Sequence, residues 1–170
     1  MVPVLLVTGP IGVGKTAVLH EADALLIAAG AAHATVELEE VARCWTDETE
    51  SSRSPLVYGN LAALWSNFAA VGASRLLLAG LIEQRSQLRL ISKAVPGPTV
   101  TVVRLHAPLP VLEKRIQLRE PASPEGELDG ARWWTRHLHQ VRLEDHLVET
   151  DGRAVGEVAR DVLRLARWLP

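Results

Sequence analysis

Eight consecutive residues near the start of the chain have the types and the spacing that hold a polyphosphate. They read Gly9-Pro10-Ile11-Gly12-Val13-Gly14-Lys15-Thr16 and match the pattern Gly-x4-Gly-Lys-[Ser/Thr] at every fixed position. The glycines let the backbone fold round the phosphates with its N–H groups turned inward, Lys15 can reach the β- and γ-phosphates, and the Thr16 hydroxyl can ligate Mg²⁺. An apolar run precedes the motif and an amphipathic helical pattern follows it. We therefore predict binding of a nucleoside triphosphate; the alternative is a glycine-rich turn that binds nothing.

Two carboxylates follow the second predicted strand, residues 33–38. Glu37 and Glu39 lie at its carboxyl end, which is the edge of an open α/β sheet where ligands bind. Phosphoryl transfer depends on positioning and on neutralisation of charge, and a carboxylate can orient or deprotonate an acceptor hydroxyl. The alternative is that Glu39 and Glu40 only favour the first turn of a short helix.

Arg115 and Arg119 are one helical turn apart and share a cationic face. A planar guanidinium suits a phosphoryl group because it forms bidentate hydrogen bonds. The alternative is a solvated helix face that pairs with Glu113 or Glu120. Weaker candidates of the same kind lie further along the chain, at Arg132 and Arg136.

A polar stretch rich in serine, residues 46–58, is predicted to be a mobile loop. Three side chains around it would suit an acceptor with an anionic group: Arg43, Arg53 and Asn60. Ordinary surface arginines are the alternative. Asn60 is also predicted to cap a helix that ends at Gly72.

The composition limits the class of protein. At 170 residues, with 48% apolar and 22% charged residues, the chain fits a single folded domain. A net charge of −2 argues against charge-driven binding to nucleic acid or to membranes. The single cysteine, Cys44, excludes an internal disulfide, and the first apolar run lacks the basic segment of a signal peptide. We expect a cytoplasmic protein that acts on a small molecule, with no nucleic-acid or membrane partner.

Two other signals do not indicate chemistry. His137 and His139 are two residues apart on a predicted helix, so they face different sides and make a poor metal pair. The five tryptophans indicate packing rather than a platform for nucleic acid. Either Trp133 or Trp134 can still line a pocket, because adjacent residues cannot both face the same core.

Strand and helix patterns alternate along the chain, which predicts an α/β fold of βαβ units round a parallel sheet. The predicted strands are residues 4–8, 33–38, 75–79, 99–105 and 146–150. One predicted helix directly follows the phosphate motif. The others cover residues 39–45, 60–72 and 83–94, a segment that begins at Pro108, a segment that contains Trp133, and a last segment with apolar positions from Val155 to Leu169. Residues 120–127 are predicted to be irregular because of their prolines and glycine.

Together these features resemble the small P-loop kinases, the group that includes shikimate kinase, gluconate kinase, chloramphenicol phosphotransferase and adenylate kinase. The resemblance rests on the phosphate motif, an acidic end to strand two, an Arg-x3-Arg helix, a Pro-rich segment, and a Thr-Asp-Gly-Arg turn at residues 150–153. Residues 60–65 and 75–79 also resemble uncharacterised ATP-binding P-loop proteins of bacteria. The resemblance implies a P-loop NTPase fold in one domain, residues 1–170. It would have a doubly wound, five-stranded parallel sheet in the order 2-3-1-4-5, helices on both faces, and a short lid at about residues 120–130.

The same resemblance implies roles for individual residues. Glu37 would be the carboxylate that faces the acceptor, and Glu39 its helper near the magnesium hydration shell. Arg115 and Arg119 would touch the phosphates or stack on adenine as the lid closes. Arg153 lies where relatives wrap the adenine ring.

Two departures refine the expected function. Strand three ends Leu77-Leu78-Ala79-Gly80, without the carboxylate that motor ATPases place there for Mg²⁺ and water. The chain also lacks the triple glycine and the Arg-Pro lid of shikimate kinase, which argues against shikimate as substrate. We expect an ATP- and Mg²⁺-dependent kinase acting on a hydroxyl of a metabolite or antibiotic. The alternative is a nucleotide-binding regulatory protein, or a weak NTPase, without a phosphate acceptor.

Overall fold

A computed structural model describes residues 1–44 and 53–169, without the side chains of residues 53 and 54. Its strands are β1 (Val2–Thr8), β2 (Ala34–Glu37), β3 (Leu76–Ala79), β4 (Pro98–His106) and β5 (His146–Glu149). Its helices are α1 (Lys15–Ala28), α2 (Arg53–Ala70), α3 (Arg85–Ala94), α4 (Leu109–Arg119), α5 (Glu125–Val141) and α6 (Val155–Leu165), with a 3-10 turn at Glu40–Ala42.

The five strands form one parallel sheet in the order β2-β3-β1-β4-β5, as predicted. β1 is the central strand, and its last residue, Thr8, is in register with Arg104 of β4. On the other side of β1, Glu37 at the end of β2 is in register with Ala79 at the end of β3. The carboxyl ends of β1, β2 and β3 therefore lie along one edge of the sheet, which is where ligands bind in this architecture.

Helices cover both faces of the sheet. On one face Leu5 and Val7 pack with buried side chains of α1, α4 and α6, and on the other face Val4 and Leu6 pack with α2 and α3. These four side chains are at most 1% exposed. Burying each of them stabilises the fold by about 1.5–3 kcal/mol. The start of the phosphate motif is thus held between two helical layers.

The prediction of a loop over residues 46–58 was wrong from residue 53 onward, where α2 begins. Residues 46–52 lie outside the described part of the chain. The helix forms because Tyr58, Leu61 and Trp65 recur at helical spacing and bury one face in the core. Pro55 lies in the first turn of α2, where proline is tolerated. Asn60 is consequently inside the helix and is not its cap.

The prediction that residues 120–127 are irregular was wrong from Glu125, where α5 begins. Glu125 and Glu127 lie in the first turn, and negative charge there interacts favourably with the helix dipole. The Leu128 N–H donates to the carbonyl of Pro124 over 2.9 Å. The irregular connection between α4 and α5 therefore covers only residues 120–124.

Smaller differences concern the ends of other elements. Of the predicted helix over residues 39–45, the described residues 39–44 contain a single 3-10 turn, and residue 45 lies outside the described part of the chain. α3 begins at Arg85 rather than at residue 83. α6 ends at Leu165, so Ala166 and Leu169 pack against the core from beyond the helix. Within the described residues, no helix is both long enough and apolar enough to span a membrane.

Candidate active site

The phosphate motif forms the turn between β1 and α1. Gly9 has a φ of 147°, and a Cβ there would come within 2.7 Å of the Leu105 carbonyl oxygen, so the close approach of loop and β4 requires glycine. Gly14 has a φ of 100° and lies immediately before the first residue of α1. This left-handed conformation turns the chain into the helix, whose N–H groups then point into the loop. The loop thus leads directly into the N-terminus of α1, the end of a helix that favours anions.

Lys15 folds back over the loop that contains it. Its Nζ donates to the carbonyl of Gly9 over 3.1 Å and to that of Pro10 over 3.3 Å. Burial lowers the pKa of Lys15; Glu39 and Glu37 oppose this effect, and the nearby Arg119 adds to it. A buried ammonium whose pKa is lowered by desolvation gains from any anion that enters beside it.

Thr16 is connected to the end of β2. Its Oγ1 donates a hydrogen bond to Glu37 Oε2 over 3.1 Å, and His20 Nε2 lies 3.5 Å from Glu37 Oε1. The sequence analysis missed His20. Its position four residues after Thr16 on α1 was an available signal, because such residues share one face of a helix. A hydroxyl and a carboxylate side by side are the oxygen ligands that Mg²⁺ prefers, so this pair fits a magnesium ion.

Glu39 is fixed by the segment that follows β3. Its Oε1 accepts a hydrogen bond of 2.8 Å from the backbone N–H of Leu81. Glu37 and Glu39 therefore belong to one carboxylate group at the edge of the sheet, with Glu37 on the Thr16 side and Glu39 on the Leu81 side.

A cavity of about 760 Å³, the Lys15 cavity, brings the predicted phosphate and carboxylate residues together. It is lined by Ile11, Gly12, Gly14, Lys15, Thr16, Ala17, His20, Glu37, Glu39, Glu40, Arg43, Leu81, Arg119, Glu120 and Glu127. The excess of carboxylates over cations in this lining suits a polyphosphate that arrives with a divalent metal.

The structure separates the two arginines of α4. Arg119 lines the Lys15 cavity and pairs with Glu127 of α5. Arg115 instead donates to the Val13 carbonyl over 3.3 Å, and to the Thr150 hydroxyl and carbonyl over 3.0 Å each. Arg115 thus ties the phosphate loop to the turn after β5, whereas Arg119 is the one of the two that lines the Lys15 cavity.

A second cavity, of about 230 Å³, lies between the phosphate loop and the turn after β5. This Arg153 cavity is lined by Val13, Gly14, Val18, Arg115, Thr150, Arg153, Val155 and Val158. Arg153 is held by Asp161 at 2.6 Å and by the Glu149 carbonyl at 3.2 Å. Valine walls with an arginine plane at the edge can accommodate a flat heteroaromatic ring.

A third cavity, of about 220 Å³, adjoins the Lys15 cavity at Glu39 and Leu81, which line both. This Tyr58 cavity is lined by Leu38, Glu39, Ala42, Val57, Tyr58, Leu81 and Gln87. The sequence analysis missed Val57 and Tyr58 because it assigned them to a loop. Their helical spacing with Leu61 and Trp65 was the signal that could have found them.

Two of the three residues predicted to hold an anionic acceptor have partners within the protein. Arg43 lines the Lys15 cavity, but its side chain is 78% exposed and pairs with Glu40. Asn60 Nδ2 donates to the Val41 carbonyl over 2.6 Å and so connects α2 to the 3-10 turn. The Arg53 side chain lies outside the described residues.

The remaining candidate arginines, Arg132 and Arg136, lie on α5 and contact residues of α4 and α5. Arg132 pairs with Glu113 at 2.8 Å and with Asp129 at 3.0 Å; the hydrogen bond that Arg132 donates to Glu113 is the main cause that raises the pKa of Arg132. Arg136 Nε donates to the Arg132 carbonyl over 3.3 Å. Neither arginine is among the residues that line the three cavities.

The aromatic cluster of α5 surrounds His137. Trp133 stacks on its ring with centroids 4.5 Å apart, and Trp134 meets it edge-on at 5.9 Å. His137 Nε2 also lies 2.7 Å from the Glu83 carbonyl oxygen, so the cluster holds α5 against the segment before α3.

Solved structures with the same fold are known. A gluconokinase from Sinorhizobium meliloti 1021 is 23% identical, covers 97% of this chain and 94% of its own, and superposes with a TM-score of 0.63. A tunicamycin resistance protein from Deinococcus radiodurans is 22% identical, with coverages of 97% and 95% and a TM-score of 0.71. A shikimate kinase from Acinetobacter baumannii is 18% identical, with coverages of 97% and 93% and a TM-score of 0.62.

These likenesses establish the fold of the small P-loop kinases along almost the whole chain. No protein-family model matches the sequence, and no curated protein matches it.

Proposed function

We propose that this protein is a kinase that transfers the γ-phosphoryl group of ATP, with Mg²⁺, to a hydroxyl of a small molecule. One observation carries the proposal. The cavity that holds the P-loop lysine and threonine also holds two carboxylates at the end of β2, and it adjoins a separate cavity at Glu39. A protein that only bound nucleotide would need no second cavity beside the phosphates. The gluconokinase and the shikimate kinase among the structural neighbours favour the same class of reaction.

The nucleotide would lie across two of the cavities. Its base would enter the Arg153 cavity, between valine side chains and the guanidinium of Arg153. Its phosphates would reach the backbone N–H groups of the loop, where Lys15 would exchange the Gly9 and Pro10 carbonyls for phosphate oxygens. Thr16 and Glu37 would hold Mg²⁺, directly or through its water shell. The metal would supply charge neutralisation at the β- and γ-phosphate oxygens.

The two carboxylates, Glu37 and Glu39, would have different roles. The sequence favours Glu37 as the acceptor-facing residue, but its contact with Thr16 brings it to the metal side. Glu39 lines both the Lys15 and the Tyr58 cavities, so we assign it to the acceptor. Glu39 would accept the hydroxyl proton as the acceptor oxygen attacks the γ-phosphorus. The bond from the γ-phosphorus to the β–γ bridging oxygen would break, and ADP would leave.

Arg119 would stabilise the charge on the transferring group. It lines the Lys15 cavity together with Lys15 and the phosphate loop, and it comes from the end of α4. Its guanidinium would donate to the phosphoryl oxygens as well as to Glu127, because its planar fork carries several N–H donors. Arg115 lines the Arg153 cavity, so it would lie beside the bound nucleotide there while it fixes the loop and the turn after β5 against each other.

A nucleotide-binding regulatory protein is the second candidate. It is favoured by the end of β3 at Ala79, where a motor ATPase would carry a carboxylate. The test is ADP production with Mg-ATP, measured with and without a panel of hydroxylated metabolites and antibiotics, and with Lys15→Ala as the control. Acceptor-dependent ADP that disappears in the variant supports the kinase. Binding of ATP without ADP production in any mixture supports the second candidate.

A further inference from the structure

The walls of the Tyr58 cavity are apolar and anchored in the core. Leu38 and Ala42 come from the end of β2 and the 3-10 turn, Val57 and Tyr58 from α2, and Leu81 from the segment after β3. Leu38, Ala42 and Tyr58 are at most 8% exposed. At about 220 Å³ the cavity is smaller than the roughly 300–1,000 Å³ usual for drug-sized ligands, so it suits a small molecule or one part of a larger molecule.

Of the three polar side chains of this cavity, one is negatively charged and two are hydrogen-bond donors. Glu39 contributes a carboxylate that the Leu81 N–H holds in place. Burial, together with the charge of Glu39, raises the pKa of Tyr58 to about 12, so its hydroxyl stays a neutral donor. Gln87 uses its oxygen to accept the N–H groups of Glu83 and Gln84, at 2.6 and 3.1 Å, which leaves its amide NH₂ for a ligand.

The charge of Glu39 interacts with Lys15, but Lys15 lines the Lys15 cavity and not the Tyr58 cavity. Arg43 lines the Lys15 cavity rather than the Tyr58 cavity, and its guanidinium pairs with Glu40. A carboxylate or phosphate on the acceptor would therefore lose water against apolar walls and would face the like charge of Glu39. Both effects are unfavourable and act together.

We propose that the Tyr58 cavity is the acceptor site and that it selects an uncharged alcohol with an apolar body over sugar acids and other anionic alcohols. This inference rests on the proposed kinase function. The hydroxyl would point to Glu39 at the junction of the two cavities, and the apolar body would contact Val57, Leu81 and the Tyr58 ring. The expectation from Arg43 and Arg53 was an anionic acceptor, so the two hypotheses predict opposite selectivity.

Ligand-observed NMR with matched pairs of small probes tests the selectivity without requiring turnover. The pairs are benzyl alcohol with benzoate and cyclohexylmethanol with cyclohexanecarboxylate, each added to the protein with ADP and Mg²⁺. Each alcohol should bind at least about tenfold more tightly than its carboxylate, as expected for a like charge at close range. Equal or tighter binding of the carboxylates, or no binding by either alcohol, would overturn the proposal.

Variants on α2 locate the binding. Val57→Glu should weaken alcohol binding about tenfold or more, because it buries a charge in the cavity. Ala63→Glu is the matched control, since it adds the same charge at an exposed position of the same helix, and it should bind as the wild type does. If Val57→Glu does not fold, the nearly isosteric Val57→Thr should still weaken binding severalfold. Alcohol binding that is indifferent to both Val57 variants would place the probes elsewhere and refute the assignment.

A transfer assay separates failure of this inference from failure of the proposed function. Phosphorylation of neutral alcohols only would support both. Phosphorylation confined to sugar acids such as gluconate would keep the kinase function and overturn the selectivity. Binding of the alcohols at Val57 with no transfer to any alcohol would overturn the kinase function and leave the cavity's selectivity standing.

Discussion

Thr16 at the start of α1 donates a 3.1 Å hydrogen bond to Glu37 at the end of β2. The bond joins the phosphate loop to a strand two positions away in the sheet, across the end of β3. A residue expected to ligate a metal thus touches the carboxylate that the sequence assigned to the acceptor. This contact is the reason for assigning Glu37 to the metal side and for looking to Glu39 for the acceptor.

Replacement of the loop lysine tests nucleotide binding. Lys15→Ala removes a charge-assisted contact to phosphate worth about 1.5–3 kcal/mol, so affinity for Mg-ATP should fall about ten- to hundredfold. Lys93→Ala, at an exposed position near the end of α3, is the matched control and should bind normally. Isothermal calorimetry measures both, and unchanged binding by Lys15→Ala would refute the phosphate site.

The affinity for ATP should decrease as the pH becomes alkaline. Burial lowers the pKa of Lys15 in the free protein, and bound phosphates would raise it, so the complex holds more protons than the free protein. Affinity is then highest at low and neutral pH and falls as pH rises through the lowered pKa of the free protein. Calorimetry over a range from neutral to alkaline pH checks this. Lys15→Arg, whose charge persists over that range, should flatten the dependence.

Variants of Glu37 and Glu39 should differ in their kinetics of phosphoryl transfer. Glu39→Gln cannot accept a proton, so it should retain ATP binding and lose about 10²–10⁴-fold in the rate of transfer. Glu37→Gln should instead raise the Mg²⁺ concentration needed for half-maximal activity, because Glu37 would hold the metal together with Thr16. Single-turnover rates and magnesium titrations of both variants give the comparison. A fully active Glu39→Gln beside an inactive Glu37→Gln would restore the assignment made from the sequence.

A polar cluster away from the cavities, formed by Asp23, His33 and Thr35, should make the free energy of unfolding decrease in acid. Burial alone would raise the pKa of Asp23, but hydrogen bonds from Thr35 at 2.5 Å and from His33 at 2.9 Å lower it. The folded state then holds fewer protons, so this stabilisation is present above about pH 5 and is lost as pH falls through the lowered pKa.

Asp23→Asn should therefore destabilise the protein by about 1 kcal/mol at neutral pH, a value reduced because the side chain is one-third exposed. The difference from the wild type should shrink in acid. Urea unfolding at several pH values measures it, and a difference that stays constant down to acid pH would contradict the role of the charge. Thr35→Val, which removes one of the donors, should show the same trend more weakly.

The sequence was informative wherever function depends on residues that are close in the chain. Lys15 and Thr16 could be located from one local motif, because the chemistry of a phosphate loop is carried by its own backbone. Glu37, Glu39 and Arg119 could be brought to the same cavity only because parallel strands end along one edge of a sheet. The strand order came from the resemblance to small P-loop kinases.

The errors arose where tertiary packing outweighs local composition. Residues 53–58 contain polar side chains and a proline, yet Tyr58 buries in the core and makes them helical. The neighbours of Arg115 could not be predicted either: it shares a helix face with Arg119, but the turn after β5 engages it through Thr150. No local pattern encodes that neighbour.

The ion pair between Arg119 and Glu127, here called the latch, should connect the segment after α4 to the phosphate site. Arg119 lies at the end of α4, Glu127 lies in the first turn of α5, and both line the Lys15 cavity. A bound γ-phosphate would accept further hydrogen bonds from the Arg119 guanidinium while Glu127 stays paired with it, which would hold the segment of residues 120–130 against the nucleotide. With a non-hydrolysable ATP analogue and Mg²⁺, amide hydrogen exchange in that segment should slow.

Glu127→Gln tests the latch directly. An exposed ion pair is worth about 0.2–1 kcal/mol, so freeing Arg119 should tighten ATP binding by up to about fivefold and speed exchange of the first turn of α5 without nucleotide. Asp129→Asn is the matched control, because its partner Arg132 also pairs with Glu113 and is not among the residues that line the Lys15 cavity. Exchange of residues 120–130 that is equally fast with and without the analogue would mean a passive connection and leave Arg119 as a surface charge.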